Sequence, residues 1–192
     1  MRHAILGSVT ALVLALAAIT AAAAEFQITP AVQSELDKQK TIIAGWAANP
    51  TLVHAVAEQN RRGPVAGMDN PKWKVTRRSD PAVVVFQNNA AGQFLRGQLE
   101  ENKAKFNEAF LSAALGEKVA FVEKTTSYVH RGQPKFEVPF TTSKAWQGSP
   151  EFDESSQTYA IQISVPVMAD ARPIGVLVVG VNLSHLESIA KK

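Results

Sequence analysis

Residues 158–182 read TYAIQISVPVMADARPIGVLVVGVN, and this stretch decides the fold. As far as Val165, apolar residues alternate with small or polar ones, which is typical of a β-strand with one buried face. The residues from Ile174 to Val181 are apolar on both faces, as in a strand at the centre of a sheet. Between them, Met168 to Pro173 is a short polar segment in which Asp170 favours a turn. The stretch therefore predicts a β-hairpin that serves as scaffold and carries no catalytic motif.

The two faces of the first strand differ in chemistry. One face is apolar and should meet the helices; it carries Tyr159, Ile161, Ile163 and Val165. The other face is small or polar and carries Thr158, Ala160, Gln162 and Ser164. Buried polar side chains need hydrogen-bond partners, so this second face requires a ligand, water or another polar element over it. We therefore expect it to form the floor of any pocket.

The first two dozen residues have the pattern of a secretory signal peptide. A short polar start precedes the apolar run from Ala4 to Ile19, and residues 22–24 are alanines that fit the small-residue cleavage rule. Cleavage before Glu25 is predicted, which places residues 25–192 in the periplasm or outside the cell as one domain. The alternative is an uncleaved anchor, because residues 4–24 are just long enough to span a bilayer.

Composition excludes several classes of function. The formal net charge is +3 and falls by one if Arg2 is removed with the signal peptide, and no basic patch is interleaved with aromatic residues. A nucleic-acid partner is therefore not expected. The chain has no cysteine, which excludes thiol catalysis, zinc–thiolate sites and iron–sulfur clusters.

Apolar residues at helical spacing predict a long first helix over residues 29–60, capped by Thr29 with Pro30 at its first position. Because the residue before a proline avoids the α region, Asn49-Pro50 predicts a kink or a restart. The length exceeds what packing on one small sheet requires. The excess could pair with a second copy of the helix or simply project.

The middle of the chain alternates between turn signals and short elements. Residues 61–80 are predicted to be irregular, whereas residues 81–86 and 90–105 are predicted helices. Periodicity alone would extend the second helix to Leu115. The Gly116 turn between two apolar runs instead indicates a strand pair over about residues 107–123.

The polar connection that follows contains one helical turn at 134–140, a short strand at 144–147 and a loop at 148–156. A short helix at 183–192 closes the chain. The sum is an α+β fold: two or three helices, then about five mostly antiparallel strands, with the helices on one side of the sheet.

Three stretches carry a resemblance to a known family: FLSAALGEKVAF from Phe110, TTSYVHRGQPKF from Thr125, and DESSQTYAIQISVPVMADARPIGVLVVGVNLSHL from Asp153. Together they resemble the extracytoplasmic PAS-like sensor domains of the Cache (PDC) superfamily, over about residues 30–186. The resemblance favours the strand reading of residues 109–112. It implies a five-stranded antiparallel sheet in PAS-like order, backed by the long N-terminal helix. A small-molecule pocket would lie between the other sheet face and the connection after the second strand.

The resemblance also implies a function. Ligands of the family are small organic molecules such as carboxylates, amino acids, amines and purines, and most members lie between two membrane spans of a chemoreceptor or kinase. No span follows Leu186 in this sequence. We therefore predict a stand-alone, non-catalytic binding module that acts through a membrane receptor or kinase partner, with a homodimer through the N-terminal helix as a further expectation. The alternative is an interaction protein whose pocket is filled by its own side chains.

Several residues are candidates for that pocket. Tyr128 and His130 fall where the family's pocket-lining connection begins, and two-residue spacing in extended chain would point both side chains the same way; the alternative is an exposed loop pair. Trp73 and Trp146 could form pocket walls, although a tryptophan such as Trp73 in a polar loop also suits a plug for the core.

The charged candidates are Lys135, Lys144, Arg77 and Arg78 for a ligand carboxylate, and Asp153 for a ligand amine. Each could instead be a solvated surface group. Gln162 and Ser164 belong to the floor. The predicted ligand-binding set is Trp73, Arg78, Tyr128, His130, Lys135, Trp146, Asp153, Gln162 and Ser164.

Enzymatic motifs are missing from the sequence. No G-x-S-x-G elbow, H-E-x-x-H pair, EF-hand loop or phosphate-binding glycine loop is present, and the four histidines are scattered. His54 suits the core or an interface rather than a ligand site. No catalytic residue, metal site or cofactor is therefore expected.

Overall fold

A computed structural model describes residues 26–154 and 157–191. The predicted signal peptide lies outside these residues. The helices are α1 (Pro30–Ala47), α2 (Pro50–Arg62), α3 (Asn70–Val75), α4 (Pro81–Asn88), α5 (Ala90–Glu101), α6 (Pro134–Thr142) and α7 (Leu183–Ala190). The strands are β1 (Phe106–Ala113), β2 (Lys118–Phe121), β3 (Trp146–Gln147), β4 (Glu151–Asp153), β5 (Thr158–Ala169) and β6 (Arg172–Asn182). None of the helices in this part of the chain is long and apolar enough to cross a membrane.

The strands form one antiparallel sheet in the order β2-β1-β6-β5-β3, and β4 pairs with the start of β5. This confirms the predicted α+β fold with its PAS-like sheet. The central position of β6 is also confirmed, because residues 175–181 are buried throughout. The short strand β4 was predicted as loop, since three residues are too few to show an alternating pattern.

The β5–β6 turn is tighter than predicted. The strands pair as far as Ala169 opposite Arg172, so the turn consists of Asp170 and Ala171 alone. Their φ angles of 49° and 60° fit a type I′ turn, whose twist matches that of the flanking strands. The predicted six-residue turn at 168–173 is therefore too long.

The predicted long helix is two helices. The chain restarts at Asn49, whose side-chain oxygen accepts a hydrogen bond from the Thr51 amide at 2.9 Å. Both α1 and α2 bury their apolar residues within the domain, so neither projects from it. The prediction of excess helix is wrong. On α1 and α2, the only exposed large apolar side chain among the described residues is Ile42, at 37%.

The middle of the chain contains more helix than predicted. Residues 70–75 form α3, which starts where the Asp69 side chain accepts from the Lys72 amide at 2.8 Å. Helix α6 spans nine residues rather than a single turn. Both segments are short and their patterns are interrupted by proline, which hides helical periodicity.

The sheet separates two apolar clusters, which we call the first core and the second core. In the first core, α1, α2 and α7 pack on the apolar face of β5, as predicted for Ile161, Ile163 and Val165, and α5 packs on β1 and β2. The second core contains Trp73, Val83, Phe86, Phe110, Phe121, Tyr128, Phe136, Val176 and Val178. Helices α3, α4 and α6 supply part of it, so the prediction that the helices lie on one side of the sheet is wrong.

Candidate functional site

Strand β5 presents its polar face to the second-core side of the sheet, as predicted. A cavity of about 610 Å³ lies over the first part of this face, above Ala160 and Gln162 and beside Gly180 of β6. Its remaining lining residues come from the segment before α4, from β1, from just after β2, from β4 and from β5; they are Arg78, Asn107, Glu108, Glu123, Glu151, Phe152, Asp153 and Ile161. We call this cavity the acidic pocket.

Gln162 is held in place at the floor of the acidic pocket. Its side-chain NH₂ donates to a Glu108 carboxylate oxygen at 2.8 Å, and its amide oxygen accepts from Lys135 Nζ at 2.7 Å. These bonds tie β5 to β1 and to α6, and they fix which end of the amide faces which neighbour. The floor is therefore a preorganised polar surface rather than a mobile side chain.

The charges around the acidic pocket are mostly negative. Four carboxylates line it, from Glu108, Glu123, Glu151 and Asp153, against the single guanidinium of Arg78. Arg78 lies 3.6 Å from Glu123, and both side chains are largely exposed, so this pair contributes little stability. The pocket therefore favours a ligand with a positively charged group, and Arg78 at its rim can bind a carboxylate by donating hydrogen bonds to it.

The part of the polar face around Ser164 is filled rather than open. Ser164 is fully buried. Trp73 is also fully buried and donates from Nε1 to the Thr125 carbonyl at 2.8 Å. It therefore plugs the second core, which was the alternative to its role as a pocket wall.

Tyr128 and His130 both belong to this filled region. The Tyr128 hydroxyl accepts a hydrogen bond from the Val65 amide at 2.9 Å, and its ring lies 5.4 Å from that of Trp73. His130 is 3% exposed and its ring lies 4.7 Å from Phe110. The alternative of an exposed loop pair is therefore wrong, and both side chains point toward the sheet.

Lys118 is a buried charged residue that the sequence analysis missed. Its Nζ lies 3.2 Å from His130 Nδ1 and 3.4 Å from the centre of the Phe110 ring. Burial lowers the pKa of the Lys118 amine well below its usual value. Burial, together with the charges of Lys118 and Lys135, lowers the pKa of His130 to about 2. Both groups are therefore driven toward their neutral forms.

Two serine hydroxyls lie on the same sheet face on either side of β6. Ser112 is paired with Val176 and Ser164 with Val178, and neither hydroxyl has a hydrogen-bond partner within the described structure. Ser112 is also the register partner of Lys118. Residue type does not indicate that Lys118 is buried, since lysine in a turn usually faces solvent. Its pairing with Ser112 does, because paired residues point to the same face of the sheet.

All of the predicted ligand set except Trp146 divides into two groups. Arg78, Asp153 and Gln162 line the acidic pocket, and Lys135 reaches it through Gln162. Trp73, Tyr128, His130 and Ser164 are buried near the second core. Trp146 is half-buried on β3 opposite Ser164, while Lys144 and Arg77 are exposed outside the acidic pocket. Across residues 26–154 and 157–191, no group of three or more His, Asp and Glu side chains could hold a metal ion.

Neither a protein-family model nor a curated protein matches this sequence. Solved structures with a similar arrangement include the sensor domain of the V. cholerae histidine kinase DctB, at 19% identity and a TM-score of 0.42, covering 87% of this chain and 62% of that one. Another is the ligand-binding domain of the Pseudomonas aeruginosa amino acid chemoreceptor PctC in complex with GABA, at 16% identity and a TM-score of 0.43, covering 83% and 62%.

A third similar structure is the ligand-binding domain of the Campylobacter jejuni chemoreceptor Tlp3 in complex with L-norvaline. Its identity to this chain is 15% and the TM-score is 0.43, with 85% of this chain and 64% of that one covered. The chain thus spans less than two thirds of the length of each of these three domains.

Proposed function

We propose that this chain is an extracytoplasmic, non-catalytic module that binds a small organic molecule in the acidic pocket. The observation that carries the proposal is the cavity of about 610 Å³ over Ala160 and Gln162, on the strand face whose alternation marks it as the pocket floor. Its volume lies within the usual range for small-molecule sites, about 300–1,000 Å³. The resemblance to Cache (PDC) sensor domains and the signal-peptide pattern support the same role.

The ligand class follows from the charges. The carboxylates of Glu108, Glu151 and Asp153 suit an ammonium group, and the Arg78 guanidinium at the rim suits a carboxylate. An amine or an amino acid satisfies this arrangement better than a simple carboxylic acid. Gln162, held by Glu108 and Lys135, keeps a second N–H and a second oxygen lone pair that can contribute polar contacts at the floor.

The test is a thermal-shift screen of the mature protein against amines, amino acids and carboxylic acids, followed by calorimetric titration of any hit. A ligand at 100 times its Kd should stabilise the native state by about 2.7 kcal/mol. Asp153→Asn and Glu108→Gln should weaken binding of an amine at least ~10-fold, since each removes one carboxylate from a cation site. The matched control is Glu101→Gln, an exposed acid outside the acidic pocket, which should leave the affinity unchanged.

A second candidate function has its own supporting observation. The second core fills the face around Ser164 with Trp73, Tyr128 and Phe136, as expected for an interaction domain without a free ligand site. If no compound raises the melting temperature, and Tyr128→Ala and Trp146→Ala change stability alone, this interaction role replaces the sensor role.

We also propose that the module acts through a membrane receptor or kinase, because the family resemblance implies such a partner. The expected homodimer through the N-terminal helix has less support, since Ile42 is the only exposed large apolar side chain on the described part of α1. Light scattering of the mature protein would decide it, because a monomer at high micromolar concentration contradicts the homodimer.

A further inference from the structure

A second cavity lies next to the acidic pocket and has the opposite charge. Its volume is about 950 Å³. One wall is formed by α3 and the residues after it, and the other by the segment that follows β2. The lining residues are Asn70, Pro71, Lys74, Thr76, Arg77, Arg78, Lys124, Thr125, Thr126 and Ser127. We call it the basic groove. Four cations line it and no carboxylate does.

The two walls of the basic groove are joined at their base. Asn70 accepts from the backbone amides of Tyr128 and Val129, both at 2.8 Å, and donates to the Val129 carbonyl at 3.0 Å. Trp73 Nε1 donates to the Thr125 carbonyl at 2.8 Å, and Lys124 Nζ donates to the Trp73 carbonyl at 2.9 Å. These five bonds set the spacing of the walls, so the groove is preformed.

The cations of the basic groove are poorly compensated. Within residues 26–154 and 157–191, Lys74 and Arg77 form no ion pair, and the pairing of Arg78 with Glu123 is solvent-exposed. Burial, together with the charge of Arg78, lowers the pKa of the Lys124 amine. The four cations repel one another because they lie close together in one groove. A bound anion would offset this repulsion.

We propose that the basic groove is a second binding site, which takes a small, multiply charged oxyanion carrying phosphate or carboxylate groups. Arg77 and Arg78 offer planar forks that match either group with two hydrogen bonds each. Lys74 and Lys124 supply point charges, and Thr126 and Ser127 bring hydroxyls to the opposite wall. The groove lies outside the acidic pocket and meets it only at Arg78, so this site stands independently of the function proposed above.

The test is calorimetric titration of the mature protein with pyrophosphate and with citrate in about 150 mM salt, where non-specific surface attraction is largely screened. The double variant Lys74→Gln/Arg77→Gln should lower the affinity for the better-binding probe at least 10-fold. The matched control Lys103→Gln/Arg172→Gln removes the same charge from exposed residues that line none of the cavities, and it should change the affinity less than 2-fold.

Two results would overturn the proposal: neither probe binds at millimolar concentration, or both double variants weaken binding equally. Because all four positions are exposed, the variants should fold. Because Lys74 and Arg77 line the basic groove and not the acidic pocket, a loss of affinity confined to their double variant would also separate the two sites. A stronger response to pyrophosphate than to citrate would identify phosphate as the preferred group, and the reverse would identify carboxylate.

Discussion

The contact between Lys118 and His130 places two basic side chains 3.2 Å apart in a region closed to solvent. Two protonated groups at this distance would repel each other strongly, and burial already disfavours either charge. At least one nitrogen must therefore be unprotonated, so that it can accept the hydrogen bond from the other. This arrangement makes the native state sensitive to acid.

The first prediction concerns that sensitivity. The His130 pKa is lowered to about 2 in the native state. Below about pH 6.5, His130 therefore binds a proton in the unfolded chain but not in the native state. The contribution of neutral His130 to the free energy of unfolding is complete above this pH and is lost as the pH falls, by about 2 kcal/mol between pH 7 and pH 5. His130→Gln should remove that part of the pH dependence in urea unfolding. His54→Gln, at a side chain 76% exposed, is the matched histidine control.

The second prediction concerns Lys118→Met. Methionine fills a similar length with apolar atoms, so removing the buried amine should raise the free energy of unfolding at pH 7 by roughly 1–3 kcal/mol. Because the Lys118 pKa is lowered, the stability that depends on its neutral form is complete above about pH 10.5 and declines below it. The gain from methionine should therefore shrink at pH 10. Lys103→Met on the surface is the control, and a loss of stability at both pH values for Lys118→Met would contradict the argument.

At the scale of elements, one glycine sets how closely α2 approaches the sheet. A Cβ atom at Gly175 would meet the Ser112 carbonyl oxygen of β1 and lie 2.7 Å from Val56 Cγ1 of α2. The carbonyl oxygen cannot move without shifting β1, and the Val56 side chain is fully buried. The site therefore needs a residue without a side chain.

The third prediction is that Gly175→Ala lowers the free energy of unfolding by about 3 kcal/mol, through overpacking between α2 and β6. The matched control is Gly97→Ala in α5, where a Cβ atom would meet nothing within 4 Å. That substitution should instead stabilise the protein by roughly 0.5–1 kcal/mol, because alanine favours helix. Equal effects of the two substitutions in denaturant unfolding would argue against the close packing.

The fourth prediction concerns the β5–β6 turn, where Ala171 adopts a φ of 60°. A left-handed conformation costs an alanine about 1–2 kcal/mol and costs glycine almost nothing. Ala171→Gly should therefore raise the melting temperature by a few degrees. Ala169→Gly, at the last paired position of β5, should lower it, and the opposite order would contradict the type I′ assignment.

Several elements were predictable from the sequence because their patterns are local. The alternation from Tyr159 to Val165 predicted which face of β5 meets the helices, and Asn49-Pro50 predicted the restart between α1 and α2. Short elements such as β4 have too few residues to show a period. Lys118 could not be located by residue type, because its burial depends on pairing with Ser112 and on the His130 segment that covers it.

The same limit applies to the site. The floor residue Gln162 was predicted from alternation, whereas Glu108, Glu123 and Glu151 were missed. Their convergence depends on how β1, β2 and β4 meet β5, which is a property of tertiary structure. Arg78 and Asp153 were identified as charges suited to a ligand, but nothing local to either residue indicated that they line one cavity.

At the scale of the whole molecule, the two cores share one sheet. Alternate residues of β1 and β6 enter opposite clusters: Leu111 and Leu177 the first core, Phe110 and Val178 the second. Losing either core would expose one side of every central strand. The described part of the chain should therefore unfold as a single unit.

The fifth prediction tests whether the two cores unfold together. Leu36→Ala in the first core and Phe136→Ala in the second should each cost about 3–5 kcal/mol and shift the same urea transition. Trp46 reports on the first core and Trp73 on the second. Their fluorescence can be compared in two single-tryptophan variants, Trp73→Phe/Trp146→Phe and Trp46→Phe/Trp146→Phe. Two transitions with different midpoints would show that the cores unfold separately.

The central position of β6 has a consequence for how the chain acquires its structure. Helices α1 to α5 all precede β6 in the chain, yet the sheet they cover is completed only when residues 172–182 are present. The hydrogen bond from Asn60 to the Ile174 carbonyl closes a loop of 114 residues. Such long-range closure is slow and cannot begin from the helices alone. A chain emerging in order should therefore stay open until β6 arrives, and then condense around it.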